Sequence, residues 1–272
     1  MVTSEDTYRA IRIGDPSDWR LVMVLSSGGI EAYLRNVEDP MAGVSVLLQE
    51  EWSADGTPLL EKIENAVYDH PQLLDDFSAD IALVTPTALW APESVVDSDS
   101  DPAVKIFNSV YAADEEDVMC DYQDGRVCIY SLTPGVKGFL QRTFAGARIR
   151  CHQTVLVKRL GDRGSDMPVV YVNIRAGWAD FVAVDGKKLL MAVTHDWHDT
   201  EDIRYRLFNL LDVYGLDPAS VQVSLSGLKE EKGILLRGLR DRVAYVMMTM
   251  VPGIATQAGM SLTAALLMRG EL

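Results

Sequence analysis

The sequence predicts an α/β protein with two similar lobes, each made of three short strands, a helix and a further apolar strand. Two observations carry this prediction. Strand-like stretches joined by tight turns occur twice, on either side of residues 161–168, which are dense in glycine, proline and charge. Each set is followed by a helical pattern and then by a buried strand. A chain of 272 residues is long enough for two such lobes.

In the first lobe, apolar stretches at 21–25, 30–34 and 44–52 predict an antiparallel meander. Apolar residues at helical spacing then predict a helix over about 57–74, with Pro58 in its first turn. Residues 79–85 read as a buried strand.

The middle of the chain is less regular. Residues 97–102 and 113–117 are acidic, and we expect solvated loops there. Residues 125–133 predict a strand, and Pro134 is expected to open a helix. Residues 147–161 predict a strand that runs into a helix ending at Gly161.

The second lobe repeats this order. Three strands are predicted within residues 169–197, with turns at Ala176-Gly177 and Asp185-Gly186. A helix over about 200–214 is expected to be capped by Asp199 or Thr200. A buried strand at 220–227 and a helix at 232–243 follow.

Composition excludes several classes of function. A formal net charge of -15 disfavours nucleic-acid binding, since phosphates would be repelled. Three cysteines without CxxC spacing favour neither a disulfide framework nor a closed zinc site, and they suit a reducing cytoplasm. The N-terminal residues do not resemble a signal peptide. The apolar stretch 243–268 is broken by Pro252 and Gly253, which predicts a buried strand, a turn and a helix rather than a membrane span.

Duplicated meanders, each followed by a helix and a strand, resemble the superfamily of actin, sugar kinases and Hsp70, in which two ribonuclease-H-like lobes hold ATP between them. The resemblance implies residues 1–160 as lobe I, 161–249 as lobe II, and 250–272 as a helix crossing back to lobe I. The layout is also similar to that of type IV pilus assembly and type II secretion proteins with this fold. Residues 169–227 most resemble domain-of-unknown-function family 3822, which has no assigned activity.

Active members of the superfamily carry an Mg²⁺-holding aspartate and a following glycine at the first hairpin of each lobe. Here Val24 or Leu25 stands at the first aspartate position, and Asn173 at the second. An apolar side chain cannot hold Mg²⁺, and asparagine lacks the charge. Arg175 replaces the second glycine, where its guanidinium could bind an anion, block the site or point to solvent.

The vestigial nucleotide cleft implied by the resemblance comprises six residues that would approach phosphates or adenosine: Ser26, Ser27, Gly28, Asn173, Arg175 and Gly227. The first of these hairpins can equally be an ordinary tight turn, and Ser226 stands where a second adenosine-site glycine is typical. We expect no catalytic residue, no metal ligand and no cofactor.

Other candidate sites have simpler interpretations. His195 and His198 lie near Asp196 and Asp199, where capping and turn formation are expected rather than metal binding. Cys151-His152 suggests a thiolate nucleophile, but neighbours in sequence point different ways on a helix and no third group is evident, so helix packing is expected. A basic cluster precedes the linker and either faces a partner or is merely solvated: Arg142, Arg148, Arg150, Lys158 and Arg159.

Together these residues predict a non-catalytic binding or scaffold protein with an unidentified protein partner, no nucleic-acid partner and no membrane insertion. One alternative is a nucleotide-dependent kinase or ATPase that recruits other carboxylates, such as Asp180 or Asp196. A second alternative is an assembly factor similar to the secretion and pilus proteins.

Overall fold

The computed structural model describes residues 15–38, 43–96, 100–112, 117–161, 165–250 and 258–269. The strands within these ranges are β1 Trp19–Ser26, β2 Gly29–Asn36, β3 Val44–Glu51, β4 Ser78–Leu83, β5 Ala88–Pro92, β6 Val118–Gln123, β7 Arg126–Ser131, β8 Arg148–Cys151, β9 Val169–Arg175, β10 Trp178–Asp185, β11 Lys188–Asp196, β12 Gln222–Gly227 and β13 Tyr245–Met248. The helices are α1 Leu59–Tyr68, α2 Ser100–Asn108, α3 Val136–Thr143, α4 His152–Gly161, α5 Thr200–Val213, α6 Lys229–Leu239 and α7 Leu262–Leu267.

Two five-stranded sheets have the same topology. Sheet I has the order β3-β2-β1-β4-β8, and sheet II has the order β11-β10-β9-β12-β13. In each sheet the meander is antiparallel, and its first strand pairs in parallel with the strand that follows the helix. The repeated order of elements predicted from the sequence is therefore present in the two sheets.

The core is layered around these sheets. One face of sheet I packs on α1 and α3, and one face of sheet II packs on α5 and α6. The opposite faces of both sheets pack on α4 and α7, which contribute Leu156, Leu160, Leu266 and other apolar side chains to one shared cluster. The strands contribute apolar side chains to both faces of each sheet, because successive side chains of a strand point to opposite sides.

A third sheet of order β5-β7-β6 lies beside sheet I and packs on α2 through Val127, Ile129 and Phe107. The sequence pattern predicted β7 but neither β5 nor α2. Residues 100–102 open α2, so the expectation of a loop throughout 97–102 was wrong for these three positions. Residues 97–99 and 113–116 of the predicted acidic loops lie outside the described residues.

Three element predictions need correction. The helix expected over 57–74 ends at Tyr68, because His70 precedes Pro71 and adopts a non-helical ψ of 71°; a short 3₁₀ helix follows. Pro134 does not open α3, because Gly135 occupies the N-cap position with a non-helical φ of 83°, and the helix begins at Val136.

The strand expected to be buried within 243–268 is also different. β13 is an edge strand of sheet II, and Tyr245, Met247 and Met248 are exposed. The predicted turn at Pro252 and Gly253 lies outside the described residues. Within the described ranges, no helix has the length and apolarity that a membrane crossing requires.

Candidate functional site

The first hairpin, between β1 and β2, is closed by its own hydrogen bonds. Ser26 Oγ accepts from the backbone N–H of Gly28 at 3.2 Å and donates to the carbonyl of Gly29 at 3.2 Å. The Gly28 carbonyl accepts from the N–H of Trp52 at 2.9 Å. Ser27 and Gly28 are exposed at the tip. This geometry is that of a tight turn, with Ser26 engaged within it.

The residues at the first aspartate position are both buried, Val24 at 4% and Leu25 at 3% exposure. Val24 packs in the cluster shared by the two sheets, and Leu25 packs on the opposite face of sheet I. Neither side chain can offer an oxygen to a cation.

The second hairpin, between β9 and β10, contains a buried carboxylate, Asp180, on β10. Arg175 donates to it in bidentate fashion, from Nε to Oδ2 at 3.0 Å and from Nη2 to Oδ1 at 2.8 Å. Asn173 donates from Nδ2 to Oδ2 at 3.0 Å, and Thr194 donates from Oγ1 to Oδ1 at 2.8 Å. His152 Nε2 lies 2.9 Å from Oδ1.

The charges of this group stabilise one another. Burial alone would raise the pKa of Asp180, which is 1% exposed, but Arg175 and His152 hold that pKa well below its ordinary value. Burial alone would lower the pKa of His152, but Asp180 and then Cys151 raise it to about 9. Asp180 is therefore an ionised carboxylate whose two oxygens are both occupied by protein donors. A metal ion could bind there only by displacing them.

The Arg175 side chain is turned into the protein rather than toward solvent. Its guanidinium lies against Asp180, and its backbone carbonyl accepts from Trp197 Nε1 at 2.9 Å. The N–H of Trp197 also donates to the carbonyl of Gly177, at 3.1 Å. Trp197 thus ties the end of β11 to the hairpin turn, as a structural contact.

Asn173 and Gly227 lie on neighbouring parallel strands of sheet II, β9 and β12. Ser226 Oγ donates to Asn173 Oδ1 at 3.0 Å, and Gly227 pairs with Ile174. Gly227 has a φ of +93°, and a Cβ there would lie 1.9 Å from the Ile174 carbonyl oxygen. Only glycine fits this close approach of two strands. The structure therefore gives Gly227 a packing reason that needs no nucleotide.

The six residues predicted for the cleft thus fall into two groups. Asn173, Arg175 and Gly227 are close together at the carboxyl ends of the neighbouring strands β9 and β12. Residues 26–28 belong to the hairpin between β1 and β2 of sheet I. Among the described residues, no hydrogen bond or ion pair joins the two groups. Within the same ranges, no three His, Cys, Asp or Glu side chains are grouped in a way that would hold a metal ion.

Cys151 and His152 differ from the expectation that sequence neighbours would point apart. Cys151 ends β8 and His152 begins α4, so their side chains meet, with Sγ 3.7 Å from Nδ1. A third group is also present, because His152 contacts Asp180. Burial alone would raise the pKa of the Cys151 thiol, but Cys128 and then His152 lower it to about 5. Cys151 and His152 are both 0% exposed, so the arrangement offers a substrate no access to the sulfur.

A chain of part-buried side-chain hydrogen bonds connects the third sheet to sheet II through α4. Trp90 Nε1, on β5, donates to Gln153 Oε1 at 3.0 Å. Gln153 Nε2 donates to Thr194 Oγ1 at 3.0 Å, and Thr194 donates to Asp180. These polar residues of α4 and β11 were not identified from the sequence. The available signal was the polar run His152-Gln153-Thr154, buried in the structure, which opens the helix before the apolar residues 155–157.

The remaining predicted sites are dispersed. Asp199 caps α5 by accepting from the N–H groups of Glu201 and Asp202, and this confirms the predicted capping role. The basic cluster does not form one patch. Arg148 is paired with the buried Asp80 at 2.6 Å, whereas Arg150 and Lys158 line a cavity beside α4.

Two five-stranded sheets of matching strand order, with a pair of helices packed between them, define the actin-like ATPase fold. The chain itself belongs to the family DUF3822, described as a protein of unknown function, whose model matches residues 36–245. Both predictions, of fold and of family, are confirmed.

Solved structures with the same fold are distant in sequence. A Bacteroides thetaiotaomicron protein described as having an actin-like ATPase fold and unknown function is 17% identical, with a TM-score of 0.81 over 96% of this chain and 99% of that one. A structure of the PilM-PilN type IV pilus biogenesis complex matches with 12% identity, a TM-score of 0.57, and coverage of 93% and 98%. The ethanolamine utilization protein EutJ from Carboxydothermus hydrogenoformans matches with 11% identity, a TM-score of 0.52, and coverage of 96% and 94%. No curated protein matches the chain.

Proposed function

We propose that this chain is a non-catalytic binding or scaffold protein, an actin-like ATPase fold that does not use ATP. One observation carries the proposal: the Asp180 carboxylate, in the hairpin between β9 and β10, is fully engaged by protein groups. Its oxygens contact the side chains of Arg175, Asn173, Thr194 and His152. A catalytic acid has to present free oxygens to Mg²⁺. Apolar residues at the first hairpin support the same conclusion, since Val24 and Leu25 are buried.

The proposal includes a protein partner, supported by the fold's occurrence in the PilM-PilN biogenesis complex. It also includes a cytoplasmic location, supported by three free cysteines, Cys120, Cys128 and Cys151. We take residues 1–160 and 161–249 as the two lobes and 250–272 as the segment returning to lobe I. Packing of α7 against β1, β4 and α4 supports this division.

Isothermal titration calorimetry tests the nucleotide part. The full chain is titrated with ATP and with ADP, each in Mg²⁺ and in EDTA, and ATP turnover is followed by phosphate release. We expect no Mg²⁺-dependent heat and no turnover. Micromolar Mg²⁺-dependent binding, or turnover, would overturn the proposal in favour of an atypical ATPase. In that event, Asp180→Asn and Asp196→Asn would test the two carboxylates that the alternative gives as examples.

A further inference from the structure

A cavity of about 390 Å³ lies on the lobe I side of α4, away from both hairpins. Its size is within the range of about 300–1,000 Å³ that is usual for ligand sites. The lining is mixed in charge and comes from β6 and its turn, from β8 and from α4: Cys120, Asp121, Tyr122, Gln123, Asp124, Ile149, Arg150, Thr154 and Lys158.

The cavity is bordered by two strand edges. Residues 120–124 line it consecutively, although successive side chains of a strand point to opposite faces. The backbone edge of β6 therefore borders the space. Ile149 and Arg150, again consecutive, do the same for β8. Among the described strands, β6 is an outer strand of the third sheet and β8 is an outer strand of sheet I. Such edges carry backbone groups that can pair with an added strand.

The charged side chains that line the cavity differ in whether other protein groups already bind them. Asp121 accepts from the N–H of Cys151 at 2.7 Å, from Thr154 Oγ1 at 2.8 Å and from the Tyr130 hydroxyl at 3.2 Å. The Lys158 ammonium lies 3.8 Å from Asp124. Arg150 differs from these groups, because within the described ranges its guanidinium has no hydrogen bond and no ion pair. The cavity thus presents one uncommitted cation between two strand edges.

We infer that this cavity binds an extended, acidic segment of a partner protein, which adds as a strand to the edge of β6 or β8 and places a carboxylate on Arg150. Main-chain pairing gives an extended peptide its affinity, and a side-chain pocket gives it specificity. A guanidinium recognises a carboxylate through two parallel hydrogen bonds. The inference rests on the proposed function, since it names the chemistry of the partner.

The net charge of the chain sharpens this specificity. A molecule with a formal charge of -15 repels an acidic peptide over most of its surface. An acidic segment that binds must therefore do so at a local basic position. Arg150 provides such a position beside the outer edges of β6 and β8.

Peptide display on the full chain tests the inference. Random peptides of about ten residues, the upper length of an ordinary strand, are selected on the immobilised protein. The recovered peptides are then measured by fluorescence anisotropy on wild type, Arg150→Glu and Arg142→Glu. Arg142 is an exposed arginine on α3 outside the cavity, so its variant makes the same change of charge. Hydrogen exchange with and without peptide reports on the amides of β6 and β8.

We expect peptides rich in Asp and Glu whose affinity falls by about tenfold or more in Arg150→Glu, and much less in Arg142→Glu. We also expect slower exchange at β6 or β8 when the peptide is bound. Peptides without acidic residues, or equal losses in both variants, would overturn the inference. Displacement by citrate or inorganic phosphate without slower exchange would replace it with a small-anion site, and self-association that buries the cavity would make the occupant a second copy. Mg²⁺-ATP calorimetry is independent of all these outcomes, so failure of the proposed function is recognised separately.

Discussion

Replacing Asp180 with asparagine should destabilise the protein strongly. The substitution removes the charge that faces Arg175 and the fully buried His152. It also turns an NH₂ group toward a hydrogen-bond donor, either Asn173 at the Oδ2 position or Thr194 at the Oδ1 position. A carboxamide has one acceptor oxygen where the carboxylate had two.

The magnitude follows from the cost of an unpaired buried charge. Breaking a buried, hydrogen-bonded ion pair by removing one partner costs about 3–5 kcal/mol. A domain of this size loses about 2–4 °C in Tm for each kcal/mol. We therefore expect a fall in Tm on the order of 10 °C and a matching fall in the urea midpoint. Thermal and urea unfolding, followed by circular dichroism at pH 7, provide the measurement.

Asp196→Asn is the matched control, because Asp196 is an exposed carboxylate on the neighbouring strand β11. Its unfolding free energy should change by less than about 0.5 kcal/mol. A change of less than about 1 kcal/mol in Asp180→Asn would refute the reasoning, since it would mean that Asp180 is not a structural counter-ion. A gain in stability would favour the ATPase alternative, because catalytic acids are commonly held at a cost to stability.

Two further predictions concern single groups in sheet II and α4. His152 should keep its proton until the pH approaches about 9, because its pKa is raised to about that value. Burial lowers the pKa of His195, so ¹⁵N NMR of labelled histidine distinguishes the two side chains. The stability that His152 contributes is then fully present below its unfolded pKa of 6.5 and lost as the pH rises through about 9; loss of the His152 proton near pH 6.5 would contradict this. Gly227→Ala should cost at least about 2 kcal/mol in urea unfolding because of the close Ile174 carbonyl, and Gly177→Ala, with φ +72° but open space, about 1 kcal/mol. Equal losses in the two glycine variants would show that the close contact carries no energy.

The fold was predictable because its signals are local. Each meander is encoded by alternation within a few residues and by turn residues such as Gly177 and Gly186, which have positive φ in the structure. The repeated order of these local units then identifies the topology. The third sheet lacked such signals: β5 is short, and the acidic residues before α2 resemble a loop.

The candidate site was predictable only in part, because its contacts are tertiary. That Val24, Leu25 and Asn173 carry no carboxylate is visible in sequence. The pairing of His152 with Asp180 joins α4 to β10 across a junction that no local pattern specifies. The expectation that neighbours on a helix point apart also did not hold for Cys151 and His152, because Cys151 ends a strand and His152 begins a helix. The exposure of Met247 could not be read from the sequence, since the apolar stretch Tyr245–Met248 does not itself indicate whether its strand is central or at an edge.

The placement of α7 has a consequence for the order in which the protein can fold. Val22 and Val24, near the start of the chain, are covered by residues such as Leu266 that the ribosome adds after both sheets. Part of one apolar face of sheet I therefore stays uncovered until α7 is made, although α4 is made earlier. This delay exposes a surface that chaperones bind and that invites aggregation during synthesis. Once α7 docks, both sheets share one core, and hydrogen exchange should report a single cooperative unit rather than two independently opening halves.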